Sequence, residues 1–203
     1  MIPVLTLNDI QKICKSKYDF DEKRIVAIMI ARYTIKDSQE MIKSQYEFWH
    51  YWTGKSLDFF WLGYGGYIFP RRDGQHLIGK LCDTPEVFFD TRVFVNEVQT
   101  LASIANIDYN DSIGVFLCNY YEGNLHFNES AYINLDYFVT AEHKTDLRNF
   151  ACDLIRICKK NHNVTDVILK LKIKKASYRI KDINMSSIIT DTLKNTLKSP
   201  FNF

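Results

Sequence analysis

The sequence predicts a mixed α/β fold, and two apolar runs of strand length are the main reason. The runs are "RIVAIMIA" at 24–31 and "LDFFWLGY" at 57–64, and uninterrupted apolar stretches of this length are typical of strands covered on both faces. Between them, large side chains recur at helical spacing, at Met41, Gln45, Phe48, Trp49 and Trp52. Strand, helix and strand in this order predict a βαβ unit whose two strands are parallel.

The helix of this unit is expected over residues 38–53. Asp37 and Glu40 have the spacing of a capping box, and Gly54 suits the left-handed residue just beyond a helix end. The aromatic residues of the helix and of the following strand are expected in the core, although a platform for bases or for a ring-shaped ligand is the alternative. Tyr51 is off the apolar stripe and is expected to be exposed.

The chain after the second strand is expected to be irregular at first and then regular again. Residues 66–85 contain two prolines and three glycines, with a short strand at "HLIGKLC" as an option. A helix capped by Asp90 or Thr91 and ending near Asn106 follows.

A hairpin and a third helix complete the expected core. "SIGVFLCNYY" at 112–121 and "AYINLDYFV" at 131–139 are expected to be antiparallel strands, because a short connection containing "EGN" joins them. An amphipathic helix is expected over 141–161.

The resulting order β-α-β-α-β-β-α, over roughly residues 24–161, resembles the element order of the thioredoxin fold, with a mixed sheet. The resemblance implies a Cys-x-x-Cys pair at the start of the first helix, where the helix dipole lowers a thiol pKa. That position contains "TIKDSQ", and the proline expected before the third strand is missing from "IDYNDSIG". The sequence therefore predicts that the chain lacks thiol–disulfide exchange activity.

Charge divides the chain into an expected core domain at 1–163 and a basic C-terminal strand/helix extension at 164–203. The extension contains eight basic and three acidic residues, a net charge of +5, whereas the whole chain has +2. Within it, "DVILKLKIKK" alternates apolar residues with lysines and predicts a lysine-rich strand at 167–175. The extension is expected to pack on or beside the core.

Cysteine usage and the lack of targeting signals predict a cytoplasmic protein. The five cysteines are an odd number without a close pair, so no disulfide is expected. The N-terminal segment lacks the pattern of a signal peptide, and no apolar window is long enough for a transmembrane segment.

The glycine- and arginine-containing stretch "GYGGYIFPRRDG" is the first candidate site. It matches neither the P-loop nor the dinucleotide-binding pattern, so the glycines are expected to let a crowded aromatic strand twist or bulge. The alternative is a ligand-contacting loop in which Tyr64, Arg71 and Arg72 hold a phosphate group.

Catalytic and metal-binding patterns are not found in the sequence. The histidines are scattered, with His126 and Glu129 the nearest approach to a metal pair, and no metal is expected. The cysteines of the strands and helices are expected to pack in the core. Asp58 and Asp136 stand out because a carboxylate in an apolar strand is costly unless it is exposed or paired.

The C-terminal basic residues have two open interpretations. They can form a stripe that binds nucleic acid, or they can protect an edge strand against aggregation. The residues concerned are Lys170, Lys172, Lys174, Lys175 and Arg179.

These observations favour an intracellular, non-enzymatic protein-interaction module that docks through the loop at 64–85 or through the C-terminal segment. The alternative is a binder of a phosphorylated ligand or nucleic acid through Arg71, Arg72 and the lysine-rich strand. An enzyme with an unrecognised site is a further alternative. We expect a protein partner, with nucleic acid as the alternative, no membrane association and no cofactor.

Overall fold

A six-stranded mixed sheet with helices on both faces forms the centre of the fold. The computed structural model describes residues 2–53, 57–66, 73–81, 86–107, 109–139, 143–178, 183–186 and 189–190, without the side chains of 144 and 173–178. The strands are β1 Ile2–Val4, β2 Arg24–Ile30, β3 Asp58–Leu62, β4 Tyr64–Gly66, β5 Gln75–Lys80, β6 Glu86–Asp90, β7 Gly114–Tyr121, β8 Asn124–Asn134 and β9 Ile183–Met185. The helices are α1 Leu7–Lys17, α2 Lys36–Thr53, α3 Thr91–Ala105, α4 Asp136–Val139, α5 Lys144–Lys160 and α6 Val164–Tyr178.

The main sheet has the strand order β1-β3-β2-β7-β8-β9 and is mixed. The strands β1, β3 and β2 are mutually parallel. Helix α2 connects β2 to β3, as the βαβ prediction requires. The strands β7, β8 and β9 continue the sheet with antiparallel pairing. The expected mixed α/β architecture is therefore confirmed, with six helices in the described part of the chain.

The two faces of the sheet bury different helices because side chains alternate along each strand. On one face Ile30 and Phe116 line a small gap together with Val98 of α3. On the opposite face Phe59 stacks on Trp49 of α2, with ring centroids 4.5 Å apart. Helix α5 packs beside α2 on that second face, and α6 packs against α5.

The N-terminal segment contributes two elements that the sequence analysis did not predict. Thr6 caps α1 through a capping box: its backbone N–H donates to Asp9 Oδ2 over 3.0 Å, and Asp9 N–H donates to Thr6 Oγ1 over 3.2 Å. Strand β1 pairs with β3 in parallel and extends the sheet at one edge. These elements place the C-terminal end of α1 next to the first residue of β3.

Part of the segment expected to be irregular forms a second, three-stranded antiparallel sheet. Its order is β4-β6-β5, and the optional short strand at "HLIGKLC" is confirmed as β5. The chain passes from one sheet to the other at Gly63, whose φ is +82°. A Cβ atom there would lie 2.7 Å from Cβ of Phe94, so both the backbone angle and the space require glycine.

The expected strand at 131–139 is wrong in its boundaries. Strand β8 covers Asn124–Asn134 and begins directly after the turn, whereas Asp136–Val139 forms the short helix α4. The chain turns at this point because Asp136 N–H donates to Asn134 Oδ1 over 2.8 Å and Asp136 Oδ1 accepts from Ile113 N–H over 2.8 Å. The Asp136 carboxylate therefore satisfies a backbone N–H just before β7.

The lysine-rich strand predicted at 167–175 is a helix, α6. Val164, Val167, Ile168 and Leu171 are all 0% exposed and follow the i, i+3, i+4, i+7 pattern of one helix face. Two adjacent buried residues, Val167 and Ile168, cannot both face the core from a strand that is covered on one side only. The alternation of lysines with apolar residues fits both periods over a few residues, which explains the wrong prediction.

The exposed end of α2 differs in part from the expectation. Tyr51 is 69% exposed, as predicted, but Trp52 is 60% exposed although its spacing placed it on the buried stripe. Its ring stacks on Phe48 instead, with centroids 6.0 Å apart. The N-terminal end of this helix also differs, because Asp37 lies in its first turn rather than at the cap position.

Candidate ligand cleft

A polar cleft of about 410 Å³ opens at the amino ends of the parallel strands β2 and β3. The C-terminal ends of α1 and α5 form its other walls. The residues that line it are Lys17, Tyr18, Arg24, Ile25, Leu57, Asp58, Cys158, Lys159, Asn161 and His162. We refer to this site as the basic cleft.

Asp58, the first residue of β3, is the buried acid of the basic cleft. It is 8% exposed, and its carboxylate accepts hydrogen bonds from Lys17 Nζ and from the Tyr18 hydroxyl. The sequence analysis noted that an acid at this position must be paired or exposed, and the structure shows that it is paired. Because Lys17 and Tyr18 end α1, this cluster ties the first helix to the sheet.

The Tyr18 ring is held among cations and a second ring. Lys17 Nζ lies 5.0 Å and the Arg24 guanidinium carbon 5.5 Å from its centroid, and the Tyr120 ring centroid is 5.7 Å away. Burial, followed by the hydrogen bond to Asp58, raises the pKa of Tyr18 to about 12. Burial alone would lower the pKa of Lys17, but its bonds to Asp58 and Tyr18 raise it.

Positive charge dominates the lining of the basic cleft. The lining contains three basic side chains, Lys17, Arg24 and Lys159, and a single carboxylate, that of Asp58. Arg24 Nε also donates to Glu22 Oε1 over 2.7 Å, which offsets part of its charge. Lys159 and His162 are exposed and make no hydrogen bond or ion pair within the described residues.

One lysine of the predicted basic stripe reaches the edge of this cleft. Lys170 Nζ donates to Asn161 Oδ1 over 2.6 Å, and Asn161 lines the cleft. Asn161 itself lies between α5 and α6, and its side-chain amide donates to Ile157 O over 2.6 Å. The basic surface of α6 therefore continues into the basic cleft through Lys170.

The thiols near the cleft are buried and protonated. Cys158 lines the cleft, and burial raises its pKa to about 12. Burial, followed by the charge of Asp58, also raises the pKa of Cys14 to about 12. Since the thiolate is the reactive form of cysteine, neither residue has the character of a nucleophile at neutral pH.

Among the residues that the structure describes, the other side chains predicted for ligand binding do not line this cleft. Tyr64 is 1% exposed, and its hydroxyl donates to Ala31 O over 2.6 Å. Arg71, Arg72 and Arg179 lie outside the described residues. Lys172 is exposed on α6. Lys174 and Lys175 fall within the same helix, but their side chains are outside the described part of the chain.

The candidate metal pair has an alternative structural role. The His126 ring stacks on the Tyr121 ring with centroids 3.5 Å apart. Glu129 accepts from Asn119 Nδ2 over 2.8 Å and from the Tyr121 hydroxyl over 2.9 Å. Among the described residues, no cluster of histidine, cysteine or carboxylate side chains is arranged to hold a metal ion.

Most of the cleft residues were missed in the sequence analysis. Arg24 was assigned to a strand start, and Lys159 and His162 belong to a junction between two helices that local spacing does not relate to β3. Asp58 was the usable signal, because a carboxylate inside an apolar run needs a cationic partner. The capping box at Thr6 was a second signal, since it predicts a helix ending near Lys17.

Comparison with protein-family models, with curated proteins and with solved structures found no match for this chain. Within the described ranges, no helix is long and apolar enough to cross a membrane. The described cysteines, which are Cys14, Cys118, Cys152 and Cys158, are all free thiols.

Proposed function

We propose that the protein is a non-enzymatic binding protein whose basic cleft takes a small phosphate-bearing ligand. The observation that supports this most is that Lys17, Arg24 and Lys159 line one cleft together with His162. Phosphate oxygens accept several charge-assisted hydrogen bonds at once, and clustered lysine and arginine side chains provide the donors. Small-molecule sites are also concave and use a few precisely placed polar or charged groups to fix the ligand.

The protonation states near the cleft favour binding over catalysis. A general acid or base works best with a pKa near the operating pH. The pKa values of Tyr18, Cys14 and Cys158 are raised to about 12, so these groups remain protonated at pH 7. The Tyr18 hydroxyl and Lys17 are also already bonded to Asp58. An enzyme with an unrecognised site remains the further alternative.

Titration calorimetry with inorganic pyrophosphate and ADP tests this proposal. We expect Lys159→Gln and His162→Ala to weaken binding about tenfold each, because the first removes a charged donor and the second removes a ring N–H donor to the phosphate group. Both side chains are exposed and without a partner in the described structure, so their loss leaves the fold intact. Lys160→Gln is the matched control, since Lys160 is exposed beside Lys159 but does not line the cleft.

The same titrations distinguish a small ligand from nucleic acid. If a short single-stranded DNA binds more tightly than ADP, with an affinity that falls with salt at a log–log slope of about −0.7 per phosphate contact, the ligand is a polyanion. The double variant Lys170→Gln/Lys172→Gln should then lower that slope, because both side chains are exposed on α6. Lack of binding to all three probes would refute the proposal.

A second proposal keeps the protein-interaction role that the sequence favours. Its support is the pair Tyr51 and Trp52 at the C-terminal end of α2, which are 69% and 60% exposed. Exposed tryptophan and tyrosine are enriched among the residues that contribute most to protein interfaces. A pull-down should lose its partner with Tyr51→Ser/Trp52→Ser. It should keep that partner with Phe20→Ser, because Phe20 is 66% exposed elsewhere on the surface.

We propose further that the chain acts in the cytoplasm and that its central strands are thioredoxin-like in arrangement. An exposed free thiol, Cys152, is typical of a reducing compartment. The order β3-β2-β7-β8, in which a parallel pair meets an antiparallel hairpin, supports the thioredoxin-like arrangement. Fractionation of the native host tests the location, and NMR detection of the backbone hydrogen bonds between β2 and β7 tests the strand arrangement.

A further inference from the structure

A second cavity, of about 220 Å³, lies at the opposite end of the sheet from the basic cleft. Its apolar wall is one side of α3, formed by Phe94, Val95 and Val98. Arg32, two residues beyond the end of β2, forms part of its polar wall. We call this site the α3 cavity. Its position matches the general rule that ligands of α/β proteins bind outside the carboxyl ends of the parallel strands.

The polar wall of the α3 cavity carries both signs of charge. Arg32 Nη1 lies 3.4 Å from Asp111 Oδ2, which is long for a charged hydrogen bond. The two side chains are 29% and 57% exposed, so both can be reached from solvent. Such a long contact holds the guanidinium and the carboxylate loosely, and a ligand with both charges can separate them.

Two buried polar atoms of this wall lack partners. Neither Arg32 Nε nor the Tyr109 hydroxyl has a hydrogen-bond partner in the described structure. Buried donors without partners are rare and need an explanation such as an absent ligand or water. Burial raises the pKa of Tyr109 well above its usual range, so its hydroxyl keeps its proton and can donate.

We propose that the α3 cavity binds a small zwitterion, an α-amino acid with an apolar side chain. The ligand carboxylate accepts hydrogen bonds from the Arg32 guanidinium and the Tyr109 hydroxyl, and its ammonium group pairs with Asp111. The apolar side chain packs on Phe94 and Val98. Cavities for drug-sized molecules measure about 300–1,000 Å³. The α3 cavity, at about 220 Å³, is smaller and therefore suits a ligand the size of an amino acid.

This inference is independent of the phosphate-bearing ligand proposed for the basic cleft. The two sites share no lining residue. Failure of either binding test therefore leaves the other proposal unchanged.

Titration calorimetry on the full chain with three probes tests the inference. L-leucine carries both charges, 4-methylpentanoate lacks the ammonium group, and isoamylamine lacks the carboxylate. We expect leucine to bind at least about tenfold more tightly than either analogue, because each analogue loses one charged contact. Equal binding of leucine and 4-methylpentanoate would overturn the proposed pairing of Asp111 with the ammonium group, and with it the proposal that the ligand is a zwitterion.

Variants identify the site. Asp111→Asn should remove the preference for leucine over 4-methylpentanoate and should not weaken 4-methylpentanoate binding, because only leucine has an ammonium group that pairs with Asp111. Asparagine also tolerates the φ of +61° at this position, so this variant should fold. Arg32→Gln should abolish binding of leucine and of 4-methylpentanoate. Arg156→Gln is the control, because it removes another arginine–aspartate pair on α5, and loss of leucine binding there would overturn the assignment.

Discussion

Neutralising Asp58 should destabilise the protein, because its carboxylate joins α1 to β3. In Asp58→Asn the shape is kept, but the hydrogen bonds from Lys17 and Tyr18 lose the charge of their acceptor. Bonds to a charged group contribute about 1.5–3 kcal/mol each. The Lys17 side chain is 43% exposed, so solvent screens its share and we assign it little. The expected loss in the free energy of unfolding is therefore about 2–3 kcal/mol.

Urea denaturation of the parent and the variant measures this loss directly. The corresponding fall in Tm is about 4–12 °C, at about 2–4 °C per kcal/mol for a chain of this size. Asp19→Asn is the matched control, since Asp19 is exposed near the same helix end and has no side-chain partner in the described structure. A loss below about 0.5 kcal/mol for Asp58→Asn, as for an ordinary surface substitution, would refute the account of this cluster.

Three further predictions concern the fold. Gly63→Ala should cost about 2–4 kcal/mol in urea denaturation, because φ is +82° and the new Cβ would lie 2.7 Å from a Cβ atom of α3. Gly66→Ala is the control, because a Cβ atom there would have no neighbour within 4 Å. An equal loss of stability in Gly66→Ala would contradict the explanation given for Gly63. Ile168→Ala should lower the free energy of unfolding by about 2–4 kcal/mol and Leu169→Ala by less, because Ile168 is fully buried. The reverse order would contradict the helix and favour a strand at these residues. The free energy of unfolding should fall as pH rises from 9 towards about 12, because burial raises the pKa of Cys158 in the folded state from 9.0 to about 12. The thiol therefore contributes its full stabilisation only below pH 9. Cys158→Ala should flatten that pH profile by up to about 1.4 kcal/mol per pH unit, and an unchanged profile would show that this thiol has no part in it.

The parts of the fold that the sequence predicted are those with one unambiguous period or cap. The run at 24–31 contains strand β2, which is buried at every position after Arg24, and Asp90 caps α3 by accepting from Arg92 N–H and Val93 N–H over 3.0 Å each. The expected turn before β8 is present as well, with Gly123 at φ +70°. In each case the local chemistry and the tertiary environment favour the same structure.

The wrong predictions came from patterns that fit two structures. In α6 the lysine alternation concealed the helical spacing of Val164, Val167, Ile168 and Leu171. Trp52 has the spacing of a buried stripe, yet it is 60% exposed, whereas Trp49 and Thr53 of the same helix are 0% exposed. A single sequence does not reveal how far the neighbouring elements cover a helix face, so the exposure of such a residue is set by tertiary structure.

The candidate sites were less predictable than the fold because each combines distant segments. In the basic cleft Lys17 and Asp58 are 41 positions apart, and Lys159 comes from another helix. In the α3 cavity Arg32 and Asp111 are separated by 79 positions. The local signals were Asp58, whose place in an apolar run required a partner, and the capping box at Thr6, which predicts a helix ending near Lys17.

The location of phosphate binding tests the central claim most directly. A two-dimensional ¹⁵N–¹H NMR titration of the parent with inorganic pyrophosphate reports which backbone amides change on binding. We expect saturable shifts at Tyr18, Arg24 and His162, which line the basic cleft, and saturation at about tenfold higher pyrophosphate concentration in Lys159→Gln. Saturable shifts confined to other surfaces, or no shifts at all, would contradict the claim.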